Sequence, residues 1–592
     1  MIVGPGIAGL IAEPAGGLFH PHRVANCGPR SAGLAPTGSR VPSIARPPPP
    51  VLPRRDTCMA RLLKIALALV GGLVGLAALV LLSGVLRPGR HATPIAGAPP
   101  DGAGFVRYPV TPQPLTGFAA QQILHPYMAF EGGGLHGNAY NSDVHVTSGP
   151  LGKDLRVTSR RVSPFPGGVC PTITFARDGL IVAMCASFSG FEINLFEPHT
   201  LDLLATHKLA TRPSTFAALV QWNMDLIFLD TSGGSYFYLD NEDRAVLADA
   251  TQRLQRLGHR RSADGAWEFY VADSWDLEPY APHDCLGIDN WLPRGECDPI
   301  TSVMPDYRGR IWWVTRFGRV GTLDPISGRI AVHRFAGEEI QNSLSADRDG
   351  MYVITDFALY HMVADDDGTP RTVWREAYLR SDRYRYGNIN NGSGSTPTLM
   401  DDERGRRYVA ITDAGDDRTG LVVYRREADV SGPRQICRVP LFGQDASAVE
   451  ISPIGWGRSL VVKNDSGYRS AFHGTSEQAI AGGIARVDIR ADDSGCDVVW
   501  TAPNRVPAVV SKLSANGLLY FYTFEQRPDG DNAWSFLALD FLTGKPVYKQ
   551  FVGAGQAFDI NWGSPAIATD GTVYLGVFKG LLAIADTAPG ER

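Results

Sequence analysis

One short pattern recurs eight times along this chain. An apolar strand is followed by a turn carrying Asp and Gly, a second strand, a further turn, and a third strand ending near Asp or a Thr-Gly or Ser-Gly pair. The copies begin near residues 171, 219, 301, 342, 395, 449, 509 and 564, as in PTITFARDGLIVAM, LVQWNMDLIFLDTSGGSYFYLD and SPAIATDGTVYLGVFKGLLAIAD. Short β-branched and aromatic runs between turn residues make an all-β domain. A unit repeated this often cannot bury its apolar faces alone, and radial stacking of small four-stranded sheets buries them best, which is a β-propeller. The segment 251–298 reads either as the outer part of the second blade or as a degenerate blade. Eight blades are expected, with seven as the alternative.

The last copy stops one strand short at Asp586, while Leu155–Val162 is an orphan strand at the other end of the domain. Because an open ring leaves unpaired edges, the orphan is expected to supply the outer strand of the last blade.

The regions before the repeats differ in composition. Residues 1–58 are rich in Gly, Pro, Ala and Arg and have no sustained apolar period, so disorder is expected there. Gly4–Gly9 spells G-x-G-x-x-G but lacks the strand, the helix and the acidic residue that a dinucleotide site needs, and is a chance match. Met59 reads as a natural start, followed by basic residues and the uncharged run Ile65–Leu86, long enough to cross a bilayer. Arg54, Arg55, Arg61 and Lys64 precede that run, which places the N-terminus in the cytoplasm. The expected organisation is a signal anchor over 59–90, an extended Gly/Pro-rich linker over 91–149, an extracytoplasmic propeller over 150–587 and a tail over 588–592. The localisation expected is a single-pass cell-membrane protein.

A net charge of −5 gives no reason to expect a nucleic-acid partner. Six of the eight cysteines lie beyond the apolar run, and in an oxidising compartment they suggest disulfides. Cys170–Cys185 and Cys285–Cys297 are expected as local pairs, leaving Cys437–Cys496 to join the outer strands of adjacent blades.

The stretch Ala538-Leu539-Asp540-Phe541-Leu542-Thr543-Gly544-Lys545-Pro546-Val547-Tyr548 resembles the A-x-D-x-x-T-G-K-x-x-W docking motif of quinoprotein alcohol dehydrogenase-like propellers, the pyrroloquinoline-quinone (PQQ) type, with Tyr548 where the family has Trp. The chain is also similar to extracytoplasmic actinobacterial propeller proteins with no assigned activity. The vicinal Cys-Cys pair of the family's quinone enzymes does not occur here, which argues against PQQ, and without C-x-x-C-H haem is not expected.

Residues just after each second strand gather on one face of a propeller. Aligned on the turn glycines, these positions read Asp230, Arg316, Asp356, Asp413, Asp465 and Glu525. Converging carboxylates repel unless something compensates them, and hard oxygen donors suit calcium or magnesium. Asp356, Asp413 and Asp465 are therefore the expected metal ligands. Asp230, Arg316, Asn342 and Glu525 are expected around a bound ligand, with Arg316 gripping an anionic group. The competing reading makes each Asp a turn cap. Ser343, Ser395 and Thr396 begin first strands beside the same face, whereas the histidines, His136 among them, show no metal-ligand spacing. Three functions stay open: a propeller binding a cation or small molecule; an enzyme, either a calcium-dependent hydrolase or lactonase or a quinoprotein-type oxidoreductase; and a scaffold for envelope proteins using loops such as 251–298.

Overall fold

The computed structural model describes residues 64–73, 75–76, 89–100, 102–116, 123–162, 168–187, 190–285, 293–507, 510–560 and 562–587. The chain divides into two compact units, 1–73 and 74–592. In the first, residues 64–73 are helical and exposed, and the expected disordered region 1–58 lies outside the described residues. Much of the expected span Ile65–Leu86 also lies outside them. Among the described residues no helix is long and apolar enough to cross a membrane.

Among its described residues the second unit holds eight blades: seven are four-stranded antiparallel sheets, and in blade 7 four antiparallel strands are flanked by Phe105–Arg107 and by Val144–His145, the latter parallel to its neighbour. Blade 1 comprises Thr172–Phe175, Ile181–Ser187, Gly190–Phe196 and Leu203–Lys208. Blade 2 comprises Tyr238–Leu239, Ala245–Ala248, Arg253–Arg261 and Trp267–Asp276. Blades 3 to 6 start with Ile300–Pro305, Ser345–Asp347, Thr398–Asp401 and Ile454–Trp456 and end with Ile330–Arg334, Pro370–Ala377, Gln435–Pro440 and Cys496–Ala502. Blade 7 runs from Lys512–Ser514 to Pro546–Ala554. In blade 8 the strands Ala566–Ile567, Val573–Val577 and Gly580–Asp586 are completed by Leu155–Arg161, paired Leu155 to Asp586 through Arg161 to Gly580. The ring is closed by the N-terminal strand, as its orphan position requires. First strands are mostly buried on both faces, whereas last strands are largely half-buried or exposed, as in Leu203–Lys208. This gradient puts the first strands at the axis and the last at the rim.

The recurring Asp-Gly turn has one mechanism. In blade 3 the Asp306 carboxylate accepts the backbone N–H groups of Arg308 and Arg310 at 2.9 and 3.0 Å and the Trp312 indole N–H at 3.0 Å. Asp402 holds the corresponding turn of blade 5 through Arg404 and Arg406. The Thr543-Gly544 turn of blade 7 works between blades. Gly544 has φ +68°, and a Cβ there would come within 2.5 Å of the ring of Trp500, which belongs to the last strand of blade 6 and donates its indole N–H to Phe541 O. Disulfides join Cys170 to Cys185 and, across the rims of blades 5 and 6, Cys437 to Cys496. Cys297 is also disulfide-bonded. The side chain of Cys285, its expected partner, lies outside the described residues.

Two expectations change. The second repeat copy is displaced: its apolar run forms helices, Pro213–Gln221 and Asp225–Phe228, inserted between blades 1 and 2, and the strands of blade 2 begin only at Tyr238. A short apolar run fits helix and strand alike, and Pro213 at the first helical turn favours the helix. The segment 251–298 accordingly supplies the outer strands of blade 2 and a hairpin, His283–Cys285 with Pro293–Cys297.

The stretch 91–149 is not an extended linker. Its first part runs along the rim, where Arg90 O and Thr93 O accept N–H groups from Leu203 and Arg161, and Phe105–Arg107 pairs with Tyr548–Gln550 as a fifth strand on blade 7. Its second part follows the axis. Carbonyls of Gly132, Ala139, Tyr140, Ser142 and Asp143 accept the N–H groups of Leu239, Ala346, Leu399, Gly455 and Leu513 in blades 2, 4, 5, 6 and 7. The first strands have no inner neighbour, and this plug satisfies them.

Candidate functional site

Above the plug the axis holds a cavity of about 90 Å³. Most of its wall comes from the loops that lead into first strands: Tyr236 before blade 2, Asn342 before blade 4, Thr396 before blade 5, Glu450 before blade 6 and Trp562 before blade 8, with His136 rising from the plug. The inserted helices bound another side through Ile227 and Asp230. They are fastened across the face to blade 6, where Asp225 accepts a hydrogen bond from Ser470 at 2.6 Å and meets Arg469 at 3.1 Å and His473 at 2.8 Å. At the end of the first helix Trp222 sits in a left-handed conformation, 94% exposed.

The expected carboxylates do not form a common group. Asp413 is gripped by both arms of Arg438, at 2.5 and 3.0 Å, and accepts the N–H groups of Gly415 and Gly420. Asp356 accepts Glu339 N–H at 2.7 Å and pairs with Arg380 at 3.0 Å. Asp465 pairs with the buried Lys463 and accepts Glu450 N–H. The carboxylate of Glu525 is exposed beside Lys549. Arg316 follows its second strand as expected and lies 5.6 Å from the Phe317 ring. A divalent cation needs carboxylate oxygens free to bind it, and these are taken by cations and N–H groups of their own blades, so the set does not fit such an ion. Among the described residues no group of three His, Cys, Asp or Glu side chains is placed to hold a metal. The aspartates act as turn caps that pin the loops leading to the axis: Asp465 holds the backbone of Glu450, and Asp356 holds Glu339, three residues before Asn342.

Asp230 and Asn342 do line the cavity, whereas Arg316, Asp356, Asp413, Asp465 and Glu525 do not. Asp230 lies after the inserted helices rather than after a second strand, and accepts hydrogen bonds from Ser214 and Ser232 beside Arg212. Burial raises its pKa, but Arg212 and the two hydroxyls outweigh burial and hold it below the usual carboxylate value.

The sequence reading missed Glu450, Tyr236, Trp562 and His136. Glu450 is buried, with Ile389 N–H on one oxygen at 2.8 Å. Burial pushes its carboxyl well above the usual range, and the charge of Asp465 adds to the shift. Burial, then the neighbouring Glu450, raises the phenol of Tyr236. The Nδ1 of His136 meets Asp143 at 2.9 Å, and Lys512 binds the same carboxylate at 2.6 Å. These residues sit singly in irregular loops with no shared spacing. The only signal available was position, immediately before a first strand.

No protein-family model matches the chain. It is similar to an uncharacterized protein of Archaeoglobus fulgidus, 27% identical over 395 residues that cover 60% of this chain and 75% of the relative. Solved structures with a likeness include the WD40 domain of Toxoplasma gondii coronin, 11% identical over 72% of this chain and 94% of that one, with a TM-score of 0.34. BamB from Moraxella catarrhalis is 13% identical over 58% of this chain and 93% of that one, with a TM-score of 0.32. The fold defines the protein as an eight-bladed β-propeller, an assignment that rests on the eight sheets.

Proposed function

We propose that this protein is a membrane-tethered, extracytoplasmic binding protein that takes a small molecule into the axial cavity of its propeller. The observation that carries the reading is the cavity itself, bounded by an inserted helical segment and walled by side chains from the loops of five blades and from the plug. Tethering is supported by the apolar run Ile65–Leu86, and an oxidising compartment by the disulfides. The blades are of the PQQ-like type, a reading supported by the seating of Trp500 on the Thr543-Gly544 turn. The quinone does not fit: it is a tricyclic tricarboxylate, and the cavity is far smaller. Full-length protein is expected in carbonate-washed membranes, and native mass spectrometry after incubation with a metabolite extract should reveal a bound small molecule. Ala186→Leu, which fills part of the cavity, should remove that adduct. An adduct retained by Ala186→Leu would move the ligand elsewhere, and a chain found outside the membrane fraction would end the tethering.

A further inference from the structure

Around the cavity several polar atoms lack partners. Among the described residues the indole N–H of Trp562 and the hydroxyl of Thr231 are buried with no hydrogen-bond partner. The Tyr236 hydroxyl, the second carboxyl oxygen of Glu450, Asn342 Oδ1 and His136 Nε2 make no hydrogen bond within the described residues, although His136 is only 5% exposed and Asn342 and Glu450 are also buried. Buried polar groups are nearly always satisfied, so two buried unsatisfied donors beside four further lining atoms that make no hydrogen bond mark a place where something else completes the bonding. Trp562 adds a second indication, because it holds a left-handed backbone, φ +55°, rare for a bulky side chain.

The unpartnered groups sort by role. Trp562, Tyr236 and Thr231 present donors. Asn342 Oδ1 is an acceptor, and His136, whose Nδ1 is held by Asp143, leaves its Nε2 unpartnered. Charges at the wall are already matched: Arg212 lies beside Asp230, and Asp143 beside Lys512. Resting on the binding function proposed above, we infer that the axial cavity selects a small uncharged molecule bearing both an oxygen acceptor and an O–H or N–H donor, held between Trp562 and Tyr236 on one side and His136 and Asn342 on the other. A carboxylate or ammonium ligand would enter an apolar site with no free countercharge and lose its hydration there. Burial also shifts the Glu450 carboxyl well above the usual range, which disfavours its charged form at this wall. A void of about 90 Å³ is smaller than the roughly 150 Å³ that holds benzene, so the molecule, or the part of it that is enclosed, has on the order of five or six non-hydrogen atoms.

Lactamide, lactate and 1-amino-2-propanol share a three-carbon hydroxylated frame and differ in charge, and they form the test. Each is titrated into the full-length protein in detergent and followed by saturation-transfer NMR. Lactamide is expected to bind saturably, with the anion and the cation at least tenfold weaker. Tyr236→Phe removes one unpartnered donor and almost no volume, whereas Trp562→Phe removes a second donor together with part of the ring. Tyr236→Phe should melt at or above the wild-type temperature, and both variants should bind lactamide at least threefold more weakly. Equal or tighter binding of either charged probe, wild-type affinity in both variants, or no binding of any probe would overturn the inference. The Ala186→Leu adduct experiment with a metabolite extract would still report separately on whether the cavity binds anything.

Discussion

Asp559 shows how far a single buried carboxyl can set the behaviour of this protein. It sits just before the first strand of blade 8, fully buried, accepting Thr475 Oγ1 at 2.6 Å and Ile560 N–H at 2.7 Å with no cation beside it. Burial outweighs these two bonds and pushes its pKa up to about 7. In the unfolded chain it ionises near 4. Between those values the native state holds the extra proton, so the contribution of this group to stability is greatest below about pH 4, falls as the pH rises, and levels off above about 7. Asp559→Asn stays neutral throughout, and the Thr475 hydroxyl can turn to accept from the amide. The variant should therefore exceed wild type by roughly 3–4 kcal/mol at pH 8 and match it near pH 4, as read from urea unfolding at several pH values. A constant gap across that range would show that the carboxyl is not the cause. Glu450 is shifted in the same direction but is present in both proteins, so the difference belongs to Asp559. Asp413 shows the limit of reading charge from sequence. Its position after a second strand was legible, but its compensating Arg438 lies 25 residues away on the last strand of the same blade.

At the level of strands and loops, repetition was the legible quantity. The Asp-Gly turns, the eight blades and the closing strand follow from local chemistry that recurs, and a pattern seen eight times tolerates a poor copy. The insertion Pro213–Phe228 occurs once, and nothing in FAALVQWNMDLIFL separates helix from strand before its packing is known. The cavity wall was illegible for the same reason: each blade contributes one different residue from an irregular loop. Cys437 and Cys496 are reached by elimination together with the repeat register, which puts both on last strands of neighbouring blades. Their bond spans 59 residues, for which the chain-entropy model gives about 4 kcal/mol of stabilisation. The double variant Cys437→Ala with Cys496→Ala should lose about that much by denaturant unfolding under non-reducing conditions. An unchanged midpoint would mean that the blade 5–blade 6 contact is held by packing alone.

For the whole molecule, closure and the axial plug make the blades interdependent. Removing Leu155–Arg161 leaves Gly580–Asp586 without its partner and exposes an edge in the last blade. That deletion should broaden thermal unfolding into more than one step and yield edge-paired oligomers by light scattering; a single sharp transition in a monomer would show that the ring does not depend on its clasp. The plug carries a consequence for how the protein is made. Residues 132–143 emerge from the ribosome before any blade, yet their hydrogen-bonding partners follow through the blades as far as Ser564, whose hydroxyl donates to Leu135 O. A chain interrupted anywhere before that point presents a glycine-rich stretch with unmet carbonyls beside an incomplete ring. Such a segment distinguishes a truncated product from a finished one for any protease that surveys newly made chains, and completion of the seventh and eighth blades withdraws it from view.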